Sequence, residues 1–162
     1  MSEMKFLWSW EELSEIRKQQ KREGKKVVFT NGCFDLIHAG HIDYLTKARA
    51  LGDVLIVGLN SDASVKRLKG DKRPLLPEKE RALALWSLKP VDFVAIFDED
   101  TPLELISAIV PDVLVKGGDW ALENIVGRDI VEANGGVTTN IPFTTGRSTT
   151  GIIKLIMQKY CR

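Results

Sequence analysis

Histidine and cysteine are the scarce residues of this chain, two of each in 162 positions. Cys33 and Cys161 lie far apart, which leaves no disulfide framework and no Cys-x-x-Cys redox or metal pair. Two unpaired thiols point instead to a reducing compartment, the cytoplasm. A run of about eighteen apolar residues is missing, so no membrane-spanning helix is expected. Met1–Trp10 lacks the basic-then-apolar order of a secretory signal. An excess of one charge is missing as well. The 23 basic residues face 22 acidic ones, a net +1, which implies no surface for nucleic acid or another polyanion. Repeats and low-complexity tracts are absent. What is present is a 44% hydrophobic chain, long enough for one globular domain over residues 1–162, with residues 9–23 as an N-terminal helix.

The apolar residues follow two alternating periods. Ser9 followed by Glu12 is a capping box, opening a helix that runs to about Arg22 and stops at Gly24. Trp8, Leu13 and Ile16 form its inward face. Short β-branched runs predict strands at Val27–Thr30, Val54–Leu59, Phe93–Phe97, Val113–Lys116 and Val137–Ile141. Amphipathic stretches predict helices at Gly40–Leu51, Ala63–Leu68, Pro77–Leu88, Pro102–Ile109, Asn124–Asn134 and Thr149–Gln158. Such alternation predicts an α/β fold, a doubly wound parallel five-stranded sheet with right-handed crossovers. Its ligand cleft belongs at the carboxyl ends of the strands, beside the first crossover. Gly70–Pro77 is the most loop-like stretch and reads as a mobile loop over that cleft.

Both histidines fall where a strand, a glycine loop and a helix meet, in Thr30-Asn31-Gly32-Cys33-Phe34-Asp35 followed by His38-Ala39-Gly40-His41. Spaced i, i+3 in a first helical turn, they project from one face, where backbone N–H groups point outward. A helix start after a glycine loop is an anion site, and two imidazoles there suit phosphate oxygens. Zinc needs a third and a fourth ligand, and the cysteines form no ligand-spaced pair. Cys33 reads as a small residue lining the loop rather than as a nucleophile. Asp35 keeps two readings, a cap for the following helix or a ligand for an acceptor hydroxyl or a magnesium ion. Asn60-Ser61-Asp62 is either a plain N-cap cluster or a contact to ribose or base. Among Lys66, Arg67, Lys69, Lys72 and Arg73, one or two reach bound phosphates, Lys69 first. The glycines of Lys116-Gly117-Gly118-Asp119-Trp120 form a tight turn or admit a ligand to the backbone. Thr144 to Thr150 precedes the last helix and offers a second N–H cradle, compatible with capping by Ser148.

Gly32 to His41 matches G-x-F-D-x-x-H-x-G-H at every fixed position, and here the chain resembles the nucleotidyltransferase superfamily with the His-x-Gly-His signature. It is most similar within that superfamily to the heptose-1-phosphate adenylyltransferases, which make ADP-heptose for lipopolysaccharide. The narrower likeness rests on Thr30–His41, Gly58–Asp62, Val115–Asp119 and Arg147–Ile153. It implies transfer of AMP from ATP, accompanied by Mg²⁺, to D-glycero-D-manno-heptose 1-phosphate, with release of pyrophosphate. Taken with the residue patterns, it implies His38, His41 and Lys69 as the catalytic group. Nucleotide contacts are expected from Thr30, Asn31, Gly32, Cys33, Phe34 and Gly40, from Asn60 and Asp62, and from Lys116 and Gly118. Arg147, Ser148, Thr149 and Thr150 complete that set, while Asp35, Arg81 and Asp119 are expected at the acceptor. No side chain is firmly assigned to the metal. A homodimer and a separate sugar kinase in the same pathway are implied partners.

Relatives that use CTP with glycerol phosphate read R-T-x-G-I-S-T-T in the last segment. Phe143 stands here in place of that arginine and Arg147 in place of the isoleucine, which counts against a cytidylyltransferase acting on glycerol 3-phosphate. A flavin-forming adenylyltransferase is the other alternative of the same class. An aminoacyl-tRNA synthetase shares the His-x-Gly-His element but needs more chain and a Lys-rich signature loop. A nucleotide sensor without turnover fits poorly with an intact histidine pair and threonine cradle.

Overall fold

β-Branched stretches and amphipathic stretches alternate as β/α units in the computed structural model, which describes residues 5–143 and 148–161. Five strands, β1 (Val27–Gly32), β2 (Val54–Asn60), β3 (Phe93–Phe97), β4 (Val113–Gly117) and β5 (Val137–Ile141), pair in parallel in the order β3-β2-β1-β4-β5. Around them lie α1 (Trp10–Arg22), α2 (Ala39–Arg49), α3 (Asp62–Lys69), α4 (Glu78–Trp86), α5 (Leu103–Ile109), α6 (Arg128–Ala133) and α7 (Thr149–Tyr160). This is the expected doubly wound α/β sheet.

Side chains of one strand alternate between the two faces of the sheet, and helices cover both, so the inner strands are apolar until their carboxyl ends, where Thr30, Asn31, Asn60 and Lys116 stand. Val28, Leu55 and Val57 meet Tyr44, Leu45 and Ala48 of α2 and Ala82 and Leu85 of α4. On the opposite face Val27, Phe29 and Ile56 meet Leu13 of α1, Leu105 and Ile106 of α5 and Val131 of α6. Each such fully buried aliphatic or aromatic side chain contributes roughly 1.5–3 kcal/mol of transfer free energy. Gly58 sets the closeness of that packing, because a Cβ there would lie 2.8 Å from Phe29 Cζ and 3.1 Å from Leu105 Cδ2.

The N-terminal helix forms as the capping box predicts: Ser9 Oγ accepts from the Glu12 N–H, and Glu12 returns a bond to the Ser9 N–H. One predicted helix is divided. Asn124–Asn134 becomes a single 3-10 turn, Leu122–Asn124, followed by α6 from Arg128. The cause is Gly127, whose φ of 87° breaks helical geometry and whose missing Cβ leaves room for Ile106. The stretch Gly70–Pro77, expected to be mobile, is pinned: the N–H groups of Leu75 and Leu76 and the Arg73 guanidinium all donate to Asp35. Among the described residues, no helix is long and apolar enough to cross a membrane.

Strand order reverses between β1 and β4. Chain leaving β1 steps outward through β2 and β3, then returns to the other side of β1 as β4, so the loops at these carboxyl ends part.

Candidate active site

A cleft of about 720 Å³ opens at the carboxyl ends of β1 and β4, a volume suited to a nucleotide and a small acceptor. Two helix N-termini border it. From β1 the chain turns at Phe34, a non-glycine residue with φ of 43°, and enters α2 through His38. Across the cleft, α7 begins after Ser148, whose Oγ accepts from the Gly151 N–H at 3.0 Å. Both helix starts direct partial positive charge toward the same space.

His38 is the N-cap of α2. Its Nδ1 accepts from the Gly40 N–H at 3.1 Å, which sets the ring proton on Nε2 as a donor. The His41 ring stacks on it, with centroids 3.8 Å apart and planes 24° from parallel, while Phe34 meets His41 edge-on at 5.2 Å. Burial, helped by the neighbouring His38, pushes the His41 pKa down to about 4, so this ring is neutral near pH 7. The Leu36 carbonyl acts in the opposite direction but makes no well-formed hydrogen bond with the ring's buried Nδ1. The His41 ring, neutral near pH 7, offers the cleft a hydrogen-bonding group rather than a fixed charge.

Among the described residues, the basic side chains lining the cleft are Lys69, Arg73 and Lys116. Burial lowers the Lys116 pKa, and its ammonium sits over the Trp120 ring at 5.8 Å. Burial raises the pKa of the Cys33 thiol despite the nearby Lys69, Arg81 and Arg73. Held as a thiol, Cys33 is a lining residue, in keeping with its sequence reading.

Most of the expected site residues converge. His38, His41, Gly40, Lys69, Lys116, Asn60 and Asn31 through Asp35 line the cleft, as do Ser148, Thr149 and Thr150. Thr30, Asp62, Gly118, Asp119 and Arg81 do not. Thr30 is fully buried, its hydroxyl 2.6 Å from the Tyr44 hydroxyl. Gly118 is buried with φ of 102°, supporting the turn, and Asp119 is exposed. Ser61 caps α3 by accepting from the Ser64 N–H, and Asp62 pairs with Arg81, so their capping and pairing roles account for both. Arg147 lies outside the described residues.

Two acceptor residues are corrected by their bonding. Asp35 does not cap α2, because His38 occupies that position, and its carboxylate is wholly buried against the 70–77 segment. Burial pushes the Asp35 pKa up, but the N–H groups of Leu75 and Leu76 together with Arg73 outweigh it and hold the carboxyl below its usual range. Arg81 has no exposure at all. Its Nε donates to Leu76 O, Nη1 to Cys33 O and Asn60 O, and Nη2 to Asp62. It fastens the loops that frame the cleft and cannot reach an acceptor.

Sequence reasoning did not place Tyr44, Trp120, Phe143 and the Asp100–Pro102 turn in the cleft. Tyr44 was detectable, lying three residues after His41 on the same helix face. Phe143 packs where a Gly117 Cβ would stand, 2.6 Å from the ring, a tertiary contact that spacing does not reveal.

A family model described as cytidylyltransferase-like matches residues 29–154. The bifunctional protein HldE of Trichlorobacter lovleyi is 57% identical over 150 residues, 93% of this chain and 30% of that protein. HldE of Citrifermentans bemidjiense is 59% identical over 145 residues, 90% of this chain and again 30% of the relative. The chain thus spans about 30% of the length of these curated relatives. Among solved structures, a lipopolysaccharide core biosynthesis protein from Thermoplasma volcanium superposes with a TM-score of 0.61 at 27% identity, covering 75% of this chain and 98% of that one. A pantoate-beta-alanine ligase from Francisella tularensis, 14% identical with a TM-score of 0.58 over 88% of this chain and 67% of its own, shares the fold.

Proposed function

The chain belongs to the cytidylyltransferase-like family of nucleotidyltransferases, and from that premise we propose that it transfers AMP from ATP to D-glycero-D-manno-heptose 1-phosphate, giving ADP-heptose and pyrophosphate for lipopolysaccharide core synthesis. The observation that carries this reading is the stacked His38–His41 pair at the start of α2, facing the start of α7 across one cleft. The close likeness to HldE and the structural likeness to a lipopolysaccharide core biosynthesis protein support the choice of acceptor over the glycerol-phosphate and flavin alternatives.

An oxygen of the acceptor phosphate attacks the α-phosphorus in line, the bond to the bridging oxygen breaks, and pyrophosphate leaves. Positioning and charge stabilisation suffice, and no covalent enzyme intermediate is needed. His38 and His41 donate hydrogen bonds to the α- and β-phosphates. Ser148, Thr149 and Thr150, with the free N–H groups of the first turn of α7, hold the leaving pyrophosphate. Lys69 neutralises charge between the two substrates.

Magnesium is proposed to enter on the phosphates of ATP. Among the described residues no three His, Cys, Asp or Glu side chains converge on a metal position, and Asp35 is already engaged by three N–H donors. The acceptor requires a kinase-type step to form its 1-phosphate before this domain acts, and the bifunctional naming of the HldE relatives supports such a partner activity. A homodimer is also proposed, supported by the exposed Leu155, Ile156, Met157 and Tyr160 of α7. Its test is the mass in solution by light scattering, and a monomer at micromolar concentration removes it.

Incubating the protein with ATP or CTP and either heptose 1-phosphate or glycerol 3-phosphate, then weighing the products, tests the assignment. ADP-heptose with ATP is expected. A clear preference for CTP with glycerol 3-phosphate overturns the substrates and leaves the fold untouched.

A further inference from the structure

Arg73 is a cleft cation fastened to the signature segment itself. Asp35, three residues before His38, has no side-chain exposure and accepts from Arg73 Nε at 2.5 Å. The same carboxylate accepts from the Leu75 N–H through Oδ1 and Oδ2, at 2.8 and 2.9 Å, and from the Leu76 N–H through Oδ1 at 3.0 Å. This fixes both ends of the Arg73–Leu76 turn. Arg73 keeps 17% side-chain exposure and lines the cleft, and among the described residues nothing bonds its Nη1 or Nη2. A guanidinium held by Nε presents its remaining N–H groups as a planar fork, the geometry that matches two oxygens of one phosphate.

Position decides which phosphate. The ATP phosphates are assigned to the space between the starts of α2 and α7. Arg73 belongs to neither helix start: the segment between α3 and α4 carries it into the cleft, where it shares with Lys69 the surroundings of the Cys33 thiol. We infer that Arg73 binds the phosphate of the attacking acceptor and that Asp35 is a positioning residue acting through it. The inference rests on the adenylyltransferase reading and supplies the acceptor ligand that buried Arg81 cannot be. The Gly70–Pro77 segment is then a preset part of the acceptor site, ordered before substrate arrives.

Asp35→Asn separates the two jobs of the carboxylate. The remaining Oδ1 still accepts from Leu75 and Leu76, while the new amide meets Arg73 Nε donor to donor. With turnover measured as pyrophosphate release, Arg73→Ala and Asp35→Asn should each raise the KM for heptose 1-phosphate at least tenfold and leave the KM for ATP within about twofold. The double variant should be no worse than Arg73→Ala alone, whereas a merely structural Asp35 adds its own loss. Arg73→Lys should recover only part of the affinity. Equal losses for ATP and acceptor, or an unchanged acceptor KM in Arg73→Ala, overturn the inference. If Asp35→Asn fails to fold, the Arg73 variants decide alone. Binding of inorganic phosphate by calorimetry needs no turnover: tenfold weaker binding in Arg73→Ala is expected, and equal binding overturns the inference. Absence of turnover in the wild type with every substrate pair overturns the adenylyltransferase reading, and the phosphate titration still decides on Arg73.

Discussion

Replacing Arg81 with methionine separates a framework role from a ligand role. The substitution keeps the length of the stem and removes every donor. Three backbone carbonyls lose a partner: Leu76 O, accepting at 3.0 Å, Cys33 O at 2.6 Å and Asn60 O at 3.0 Å. A buried acceptor left unsatisfied costs about 1–3 kcal/mol, in full for Asn60 O and toward the lower end for Leu76 O and Cys33 O, whose residues are half-buried. Asp62, the fourth partner, is 40% exposed at its side chain, so water replaces the arginine there at little cost. Relaxation and water entry make the three losses less than additive, giving a destabilisation of about 3–5 kcal/mol. That is a large part of the 5–15 kcal/mol typical of a domain. Urea unfolding followed by tryptophan fluorescence measures it, and equilibrium titration with ATP measures the site separately. A phosphate-binding arginine gives the opposite pattern, near-normal stability with lost affinity. A stability loss below about 1 kcal/mol, accompanied by a raised acceptor KM, would refute the framework role.

His38→Ala and His41→Ala should each lower kcat by about a hundredfold, the usual effect of removing one donor from developing charge; near-normal kcat in either variant removes that histidine from the phosphates. The depressed His41 pKa fixes the sign of an acid effect. The unfolded chain takes up a proton near pH 6.5 and the folded one only near 4, so stability is intact above 6.5 and falls as pH drops through that window. With partial exposure discounted, the loss is about 1–2 kcal/mol, and thermal unfolding of His41→Gln should show a flatter pH profile than wild type between those limits. An equally steep fall assigns the acid sensitivity to other groups. Ser148→Ala should cost about 1 kcal/mol through loss of the α7 cap and raise the KM for ATP. Unchanged ATP kinetics would confine Ser148 to capping.

The fold was legible because its signals are local and repeat. Strands Phe93–Phe97 and Val137–Ile141 coincide with their predicted bounds, as β-branched runs flanked by turns should. Asn124–Asn134 failed where a single glycine at position 127 answered to Ile106, a contact from another helix. At the site, the histidine pair and the Ser148–Thr150 cradle were readable because helix starts create their chemistry. Asp35 and Arg81 were misread for the converse reason. An acidic or basic side chain near a cleft looks like a ligand in sequence, and only distant partners, Leu75 and Leu76 for one and Cys33 and Asn60 for the other, show it engaged.

The same accounting explains how the proposed site for two phosphorylated substrates fits a chain of net charge +1. Charge is distributed by use rather than by amount. Arg67, in the basic cluster on α3, is tied to Asp100 at 2.7 Å and to the Asp98 carbonyl, holding the β3–α5 turn at the cleft edge. Arg17, at the opposite end of the sheet, bonds Asp112 and anchors α1. Arg81 is bonded to backbone and to Asp62. These three arginines build the frame, and among the described residues Lys69, Arg73 and Lys116 are the basic side chains lining the cleft. The frame needs arginine because a planar fork with several donors can bond carbonyls from different loops at once. Under the proposed function the cleft needs cations whose donors can face the substrate phosphates. His41, neutral near pH 7, adds hydrogen-bonding capacity to the cleft without adding a positive charge beside Lys69 and Lys116. That division lets a nearly neutral protein concentrate positive potential at one place on its surface.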